Sequence, residues 1–169
     1  MDAIECLITR RSVRDFSEKE VEDKEIMEIL KCAMFAPSAG NQRPWHFIVI
    51  RDKETMSKIT QFHPHAAMLK TAKVAIAVIA DTTAEKHQGY WVQDCSACVQ
   101  NILLSAHALG VGSVWLGIYP REERMKGLSG LLNLPENTIP FAVVAIGYPA
   151  KKIEQPERFD KTRIHFEKW

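Results

Sequence analysis

No stretch of this sequence stays apolar for long. The longest run, Val74 to Ala80, is seven residues bounded by Lys73 and Asp81, far short of the roughly 20 that a membrane-spanning helix requires. It reads as a buried strand, and no membrane partner is expected. Charge of one sign is also lacking: 22 Lys and Arg against 21 Asp and Glu leave a net +1, so no bulk field draws the chain to nucleic acid or anionic lipid. Any anion it binds must be held locally. Four scattered cysteines in 169 residues form no disulfide framework. Met1-Asp2-Ala3 opens without a basic, apolar, small-residue signal sequence, so the expected compartment is the cytoplasm.

Several motifs are missing too. There is no Walker-type phosphate loop, and Gly110-Val111-Gly112 is followed by Trp115 where a G-x-G-x-x-G fingerprint needs its third glycine, which argues against a Rossmann nucleotide site. The six histidines show no H-x-x-x-H or Glu-paired spacing, and no G-x-S-x-G elbow accompanies them; hydrolase chemistry has no support. Cys95 and Cys98 form a C-x-x-C, but Cys6 and Cys32 are isolated, so a four-ligand zinc site is not expected. The pair falls on an apolar helical face and reads as core packing, with a redox dithiol as the alternative. No internal repeat, heptad array or low-complexity tract is present.

What is there is 46% apolar and 25% charged, enough for one domain spanning 1–169 with a real core. Ile4, Leu7 and Ile8 recur at helical spacing and run into a basic string at 10–14. A second helix follows, carrying Ile26, Ile29, Leu30 and Ala33 inward, capped by Ser17 with Glu20 or by Asp23. Pro37 ends it and opens a loop through Pro44, after which Trp45 to Ile50 reads as a strand. Helical patterns near 53–61 and 64–70 precede the strand at 74–80. From about His87 to Leu109, Trp91, Cys95, Cys98, Ile102, Leu103 and Ala106 share one apolar face of the longest helix, closed by Gly110. Gly112 to Ile118 is a strand, Pro120 opens a helix through Leu131 and Leu132, and Ile139 to Ile146 is a final strand. The fold class is α+β, with helices flanking one sheet. From Pro149 the chain turns polar, with too few apolar residues for a core of its own, so this tail must lie on something else.

Three groups of residues carry candidate chemistry. Arg10, Arg11 and Arg14 surround Ser12, a guanidinium cluster suited to a phosphate or carboxylate; the alternatives are a basic helix end complementing the helix dipole, or an arginine paired with Asp15. The loop Pro37-Ser38-Ala39-Gly40-Asn41-Gln42 combines small residues with two amides able to read the edge of a heteroaromatic ring, or is an ordinary turn. Lys161 and Arg163 lie two apart, so in an extended segment both project to one side and can close on one phosphate, or are plain surface charge.

Together these segments resemble the nitroreductase family in its short form over nearly the whole chain. The resemblance rests on Arg10-Arg11-Ser12-Val13-Arg14-Asp15-Phe16, followed by Ala36-Pro37-Ser38-Ala39-Gly40-Asn41-Gln42-Arg43-Pro44-Trp45-His46-Phe47. Gln93-Asp94, the run from Gln100 to Ala106 and Leu109-Gly110-Val111-Gly112 resemble the family's central helix and the turn after it, and Lys161-Thr162-Arg163 a Lys-x-Arg that clamps the cofactor phosphate. The resemblance implies a mainly antiparallel sheet flanked by helices. It also implies a homodimer with one FMN per subunit at the interface, and a C-terminal tail extending onto the second subunit. Arg10, Arg11, Ser12 and Arg14 are then expected at the phosphate and ribityl end with Lys161 and Arg163. Pro37, Ser38, Ala39, Asn41 and Gln42 would come from the second chain, and Trp115, Leu116 and Gly117 would lie against the ring with a backbone N–H facing N5. Electrons would pass from NADH or NADPH through flavin N5 to a nitroaromatic, quinone, flavin or similar small acceptor in ping-pong order, with no side chain assigned as catalytic and no metal. A dedicated reaction on the same fold, such as reductive dehalogenation or flavin breakdown, and a flavin carrier without turnover are the alternatives. Two departures stand out. Pro64-His65-Ala66-Ala67 replaces polar residues found near that point in larger relatives, and the chain has little room for the helical insertion that covers their substrate pocket.

Overall fold

A computed structural model describes residues 1–169. Four strands form one sheet in the order β1-β2-β4-β3, every neighbouring pair antiparallel. They are β1 (Trp45–Ile50), β2 (Val74–Asp81), β3 (Gly112–Gly117) and β4 (Thr138–Gly147). Helices α1 (Ala3–Thr9), α2 (Asp23–Met34) and α4 (Trp91–Ala108) lie on one side, and α3 (Lys53–Phe62) and α5 (Glu122–Leu132) on the other. β2 is central and covered on both faces. Val74, Ile76, Val78 and Ala80 face α2 and α4, while Ala75, Ala77 and Ile79 face the α3–α5 side. That double burial is why its sequence is continuously apolar rather than alternating, each buried Val or Ile contributing about 1.5–3 kcal/mol.

Pro140 sits in a central strand, where a missing N–H should break the ladder. The register resolves this: Val78 pairs with Ala142 and Ile79 with Pro140, so Phe141 is skipped in a bulge. The freed Phe141 carbonyl accepts from the N–H groups of both Ile118 and Tyr119.

Sequence and structure differ at some boundaries. The cap of α2 is neither Ser17 nor Asp23; Glu22 takes that position in a capping box with Glu25, because a carboxylate can accept the orphan N–H as a hydroxyl does. The long helix begins at Trp91 rather than His87, and Pro120 lies in the turn before α5, which starts at Glu122. α4 ends as expected: Gly110 has φ +75°, and Val111 N–H reaches back to the Ala106 carbonyl, closing the helix in the Schellman manner. No helix is long and apolar enough to cross a membrane.

Candidate functional site

The basic string is placed by two glycines. Gly112 opens β3 directly opposite Gly147, which closes β4, leaving a patch of sheet without side chains. Val13 and Phe16 lie on it so closely that a Cβ on Gly112 would meet Val13 at 2.8 Å and one on Gly147 would meet Phe16 at 2.8 Å. Val13 N–H donates to the Ser113 carbonyl, and Ser17 N–H to that of Tyr148. Ser12 and Val13 thus meet the Ser113 end of the β3 edge while residues 15–17 lie against 148–150 beyond β4, and Ser12 and Arg14, on either side of Val13, are exposed.

Arg10 and Arg11 part ways. Arg11 folds back over the end of α1, its Nη1 donating to the carbonyls of Ile8 at 3.0 Å and Arg10 at 2.6 Å; this is the helix-end role, supplying orphan carbonyls with a donor. Its Nε is buried without a partner. Arg10 instead lines a cavity of about 520 Å³ with Arg11, Gln155, Glu157 and Arg158. Partial burial, then Arg158 and Arg11 beside it, push the Arg10 guanidinium below its ordinary pKa. No carboxylate lies within ion-pair distance of Arg10, Arg11, Arg14 or Arg158. Asp15 pairs with Lys151 at 3.4 Å rather than with an arginine. Glu157 also lines the cavity, but its carboxylate is turned to the Arg158 and Phe159 N–H groups, so the guanidinium cluster remains unpaired and suited to an anion. Arg158, which no sequence motif singles out, belongs to it.

Lys161 and Arg163 do not join that cluster. They sit in a 3-10 turn rather than an extended segment, capped by Asp160, and Arg163 pairs with Asp160 at 3.1 Å. The turn forms because the Asp160 carboxylate accepts the Thr162 N–H, a local closure that the two-residue spacing does not reveal. The whole tail from 151 to 169 is exposed.

The loop at 37–42 is fastened to the other end of α4. Asp94, buried near its start, accepts the Ala39 N–H at 2.9 Å and the Gln42 amide at 2.5 Å. The Gln42 oxygen accepts from the N–H groups of Lys86 and His87. Arg43 N–H closes on Ser38 Oγ at 3.0 Å. So the two amides differ: Gln42 is buried and spent on the loop itself, whereas Asn41 is exposed at φ +54° with its amide free. Pro37 is exposed beside it.

β3 is an edge strand. Ser113 and Gly117 turn their carbonyls away from β4, toward Val13 and toward Arg124 and His63, while Ile118 N–H points to β4. By strand alternation the N–H groups of Trp115 and Gly117 face that same open edge. The Trp115 indole packs inward against Phe141, ring centroids 5.7 Å apart, and the Leu116 side chain is core. What this segment offers outward is therefore backbone. Cys95 and Cys98 are fully buried and reduced; burial pushes the Cys95 thiol up to about 12 and Cys98 upward as well, as befits core rather than a dithiol relay. No cluster of metal-ligating side chains is present.

The nitroreductase family model matches residues 7–67 and 61–148. A Methanothermobacter thermautotrophicus protein, provisionally named NADH dehydrogenase/NAD(P)H nitroreductase, is 51% identical over 169 residues, covering 100% of this chain and 88% of that protein. Among solved structures, an FMN-dependent nitroreductase of Clostridium difficile superposes with a TM-score of 0.91 at 31% identity, covering 98% and 99% of the two chains. A Desulfovibrio desulfuricans structure in complex with FMN, provisionally named a nitroreductase, gives 0.86 at 30%, covering 100% and 99%. Sheet topology, the ordered motifs and these likenesses agree: the chain belongs to the nitroreductase family of oxidoreductases.

Proposed function

We propose that this chain is an FMN-dependent NAD(P)H oxidoreductase that works as a homodimer, each cofactor held by residues of both subunits. The observation that carries the shared site is a length. The basic string is tied to the C-terminal end of α4, where Thr9 Oγ1 meets His107 at 2.8 Å, and the 37–42 loop to its N-terminal end at Asp94. From Asp94 to His107 the helix rises about 20 Å. Residues that the family resemblance assigns to one ring and one phosphate thus stand at opposite ends of a helix in one chain. A second copy related by a two-fold axis across α4 brings the far end of its helix, and its loop, to the first copy's basic string.

The residues present fit FMN. Arg10 and Arg158 offer guanidinium groups without an ion-pair partner for its phosphate, and Lys161 and Arg163 can add to them when the tail is docked. The bare edge of β3 offers a flat approach with free N–H groups. When bound, FMN supplies the hydride chemistry, taking the pair from NADH or NADPH and delivering it to an acceptor in ping-pong order. The chain's own work is to bind and orient. Ser12 and Arg14 face the ribityl and ring end, Arg14 bringing a positive charge that favours electron-rich states of its neighbour. Trp115 and Gly117 present backbone donors from a rigid strand. Pro37, Ser38, Ala39 and Asn41 of the second copy close over the site, while Gln42 and Asp94 hold that loop in place from within. The chain leaves little room for the helical insertion that covers the pocket in larger relatives, which favours an acceptor side open to nitroaromatics, quinones or free flavins.

Purified protein should be yellow, with acid extraction releasing close to one FMN per chain, and NADH or NADPH should be consumed with at least one of a panel of quinone, nitroaromatic and flavin acceptors. Absence of flavin, or release of FAD, contradicts the cofactor. FMN present without turnover on any acceptor makes the protein a carrier.

A further inference from the structure

The free edge of β3 is capped at both ends. At its start Val13 N–H takes the Ser113 carbonyl; at its end the Gly117 carbonyl accepts from Arg124 Nη1 at 2.8 Å and from His63 Nε2 at 3.1 Å. His63 is 2% exposed, and its other nitrogen, Nδ1, accepts the His65 N–H. That fixes the tautomer: Nδ1 is bare, so Nε2 carries the proton and donates to Gly117. The 3.4 Å approach of Arg124 Nη1 to His63 Nε2 is then a contact between two donors, both aimed at one carbonyl. Donors from α5 and from the end of α3 thus fill both lone pairs of one strand-end carbonyl.

Arg124 has a further property. It is half-buried, and no carboxylate lies within 4.0 Å of it. The groups it touches are neutral, the His63 ring and the Gly117 carbonyl, and the carboxylates beside it in the first turn of α5, Glu122 and Glu123, make no ion pair with it. An unpaired guanidinium at a partly dry position acts on its surroundings more strongly than one in water, and here the surroundings are the segment Trp115–Gly117. We propose that Arg124 is an electrostatic and positioning residue of the cofactor site: braced with His63 on the Gly117 carbonyl, it fixes the end of the β3 edge and places a positive charge beside the ring, so that the reduced, anionic cofactor is held more tightly than the oxidised one. This rests on the FMN reading above.

The test compares wild type, Arg124→Gln and Arg124→Lys as apoproteins reconstituted with FMN. It measures three things: the FMN dissociation constant by quenching of flavin fluorescence, the midpoint potential by equilibration with a reference dye, and apoprotein melting. Arg124→Gln should lose about tenfold in preference for the reduced cofactor, which is a midpoint potential lower by about 30 mV for a two-electron couple. Arg124→Lys should restore most of the potential, though not all the oxidised-state affinity, because Lys keeps the charge and loses the fork. A potential unchanged in Arg124→Gln, with melting or affinity alone reduced, overturns the proposal and leaves the FMN reading standing. Should Arg124→Gln fail to fold, Arg124→Met fills the same groove and takes its place; if both neutral variants fail to fold, Arg124 is a structural residue and the proposal falls. Wild-type apoprotein that binds no FMN overturns this proposal and the cofactor assignment together.

Discussion

At the scale of single residues, the site divides into side chains that face outward unpaired and side chains that are spent inside the chain. Arg14 and Asn41 are of the first kind; Arg11 and Gln42 are of the second. Arg14→Ala should therefore weaken FMN binding by about 2–3 kcal/mol, the scale of deleting a charge-assisted hydrogen bond to a bound ligand, with little change in apoprotein stability. Titration of apoprotein with FMN reads this directly, and unchanged affinity would mark Arg14 as surface charge. Two histidines set a pH dependence. Burial lowers the pKa of His63 and of His107, with Arg124 adding to the first and Arg10 and Arg11 to the second. Both rings bind protons more readily in the unfolded chain, so stability is full above the unfolded value near 6.5. It falls as pH drops through that value and goes on falling until the lower folded values are passed. The urea midpoint should decline between pH 7.5 and 5, above the range where most carboxylates titrate, and His107→Gln should flatten part of that decline. A midpoint constant over this window would contradict the assignment.

At the scale of elements, α4 is the organising piece. Its buried face, Trp91, Cys95, Cys98, Ile102, Leu103 and Ala106, is legible from helical spacing, and all six are buried. Replacing Cys95 and Cys98 by Ala should cost about 1 kcal/mol each, the scale of a deleted buried methylene, and leave turnover intact; collapse of turnover in a folded, flavin-replete variant would restore the dithiol reading. Asp94 sits on the same helix, and nothing in its spacing shows that its carboxylate grips the 37–42 loop 52 residues away from Gln42. Such a tether exists only in three dimensions. Asp94→Ala leaves the Gln42 amide unpaired in a buried place, with an expected loss of about 1–3 kcal/mol in denaturant unfolding. Strands are legible because burial on both faces writes a continuous apolar run. The caps are less so, since a Glu at the start of α2 and an Asp at the turn of the tail do the work usually sought in Ser or Thr. Arg158 and Arg124 are hidden for a related reason: a lone arginine on a polar tail or an amphipathic helix looks like surface charge until its neighbours are known.

At the scale of the whole molecule, one chain leaves much undone. Ile4, Leu7 and Ile8 of α1 are exposed at 68%, 54% and 59%, Phe35 beyond α2 at 81%, and Phe166 and Trp169 in the tail at 84% and 101%. Apolar surface on this scale, along α1 and the end of α2, is the mark of a protein-protein face, and the proposed homodimer would cover it with the same surface used twice. The direct test of the composite site is complementation. Arg14→Ala and Asn41→Ala, each inactive as a homodimer and each shown folded and dimeric, are co-expressed under two affinity tags and the mixed dimers counted. In a mixed dimer one site carries both lesions and the other none, so with random pairing about half the dimers are mixed and roughly a quarter of all sites should regain activity. If both residues serve the cofactor of their own chain, every site carries one lesion, and confirmed mixed dimers as inactive as their parents would contradict the shared site.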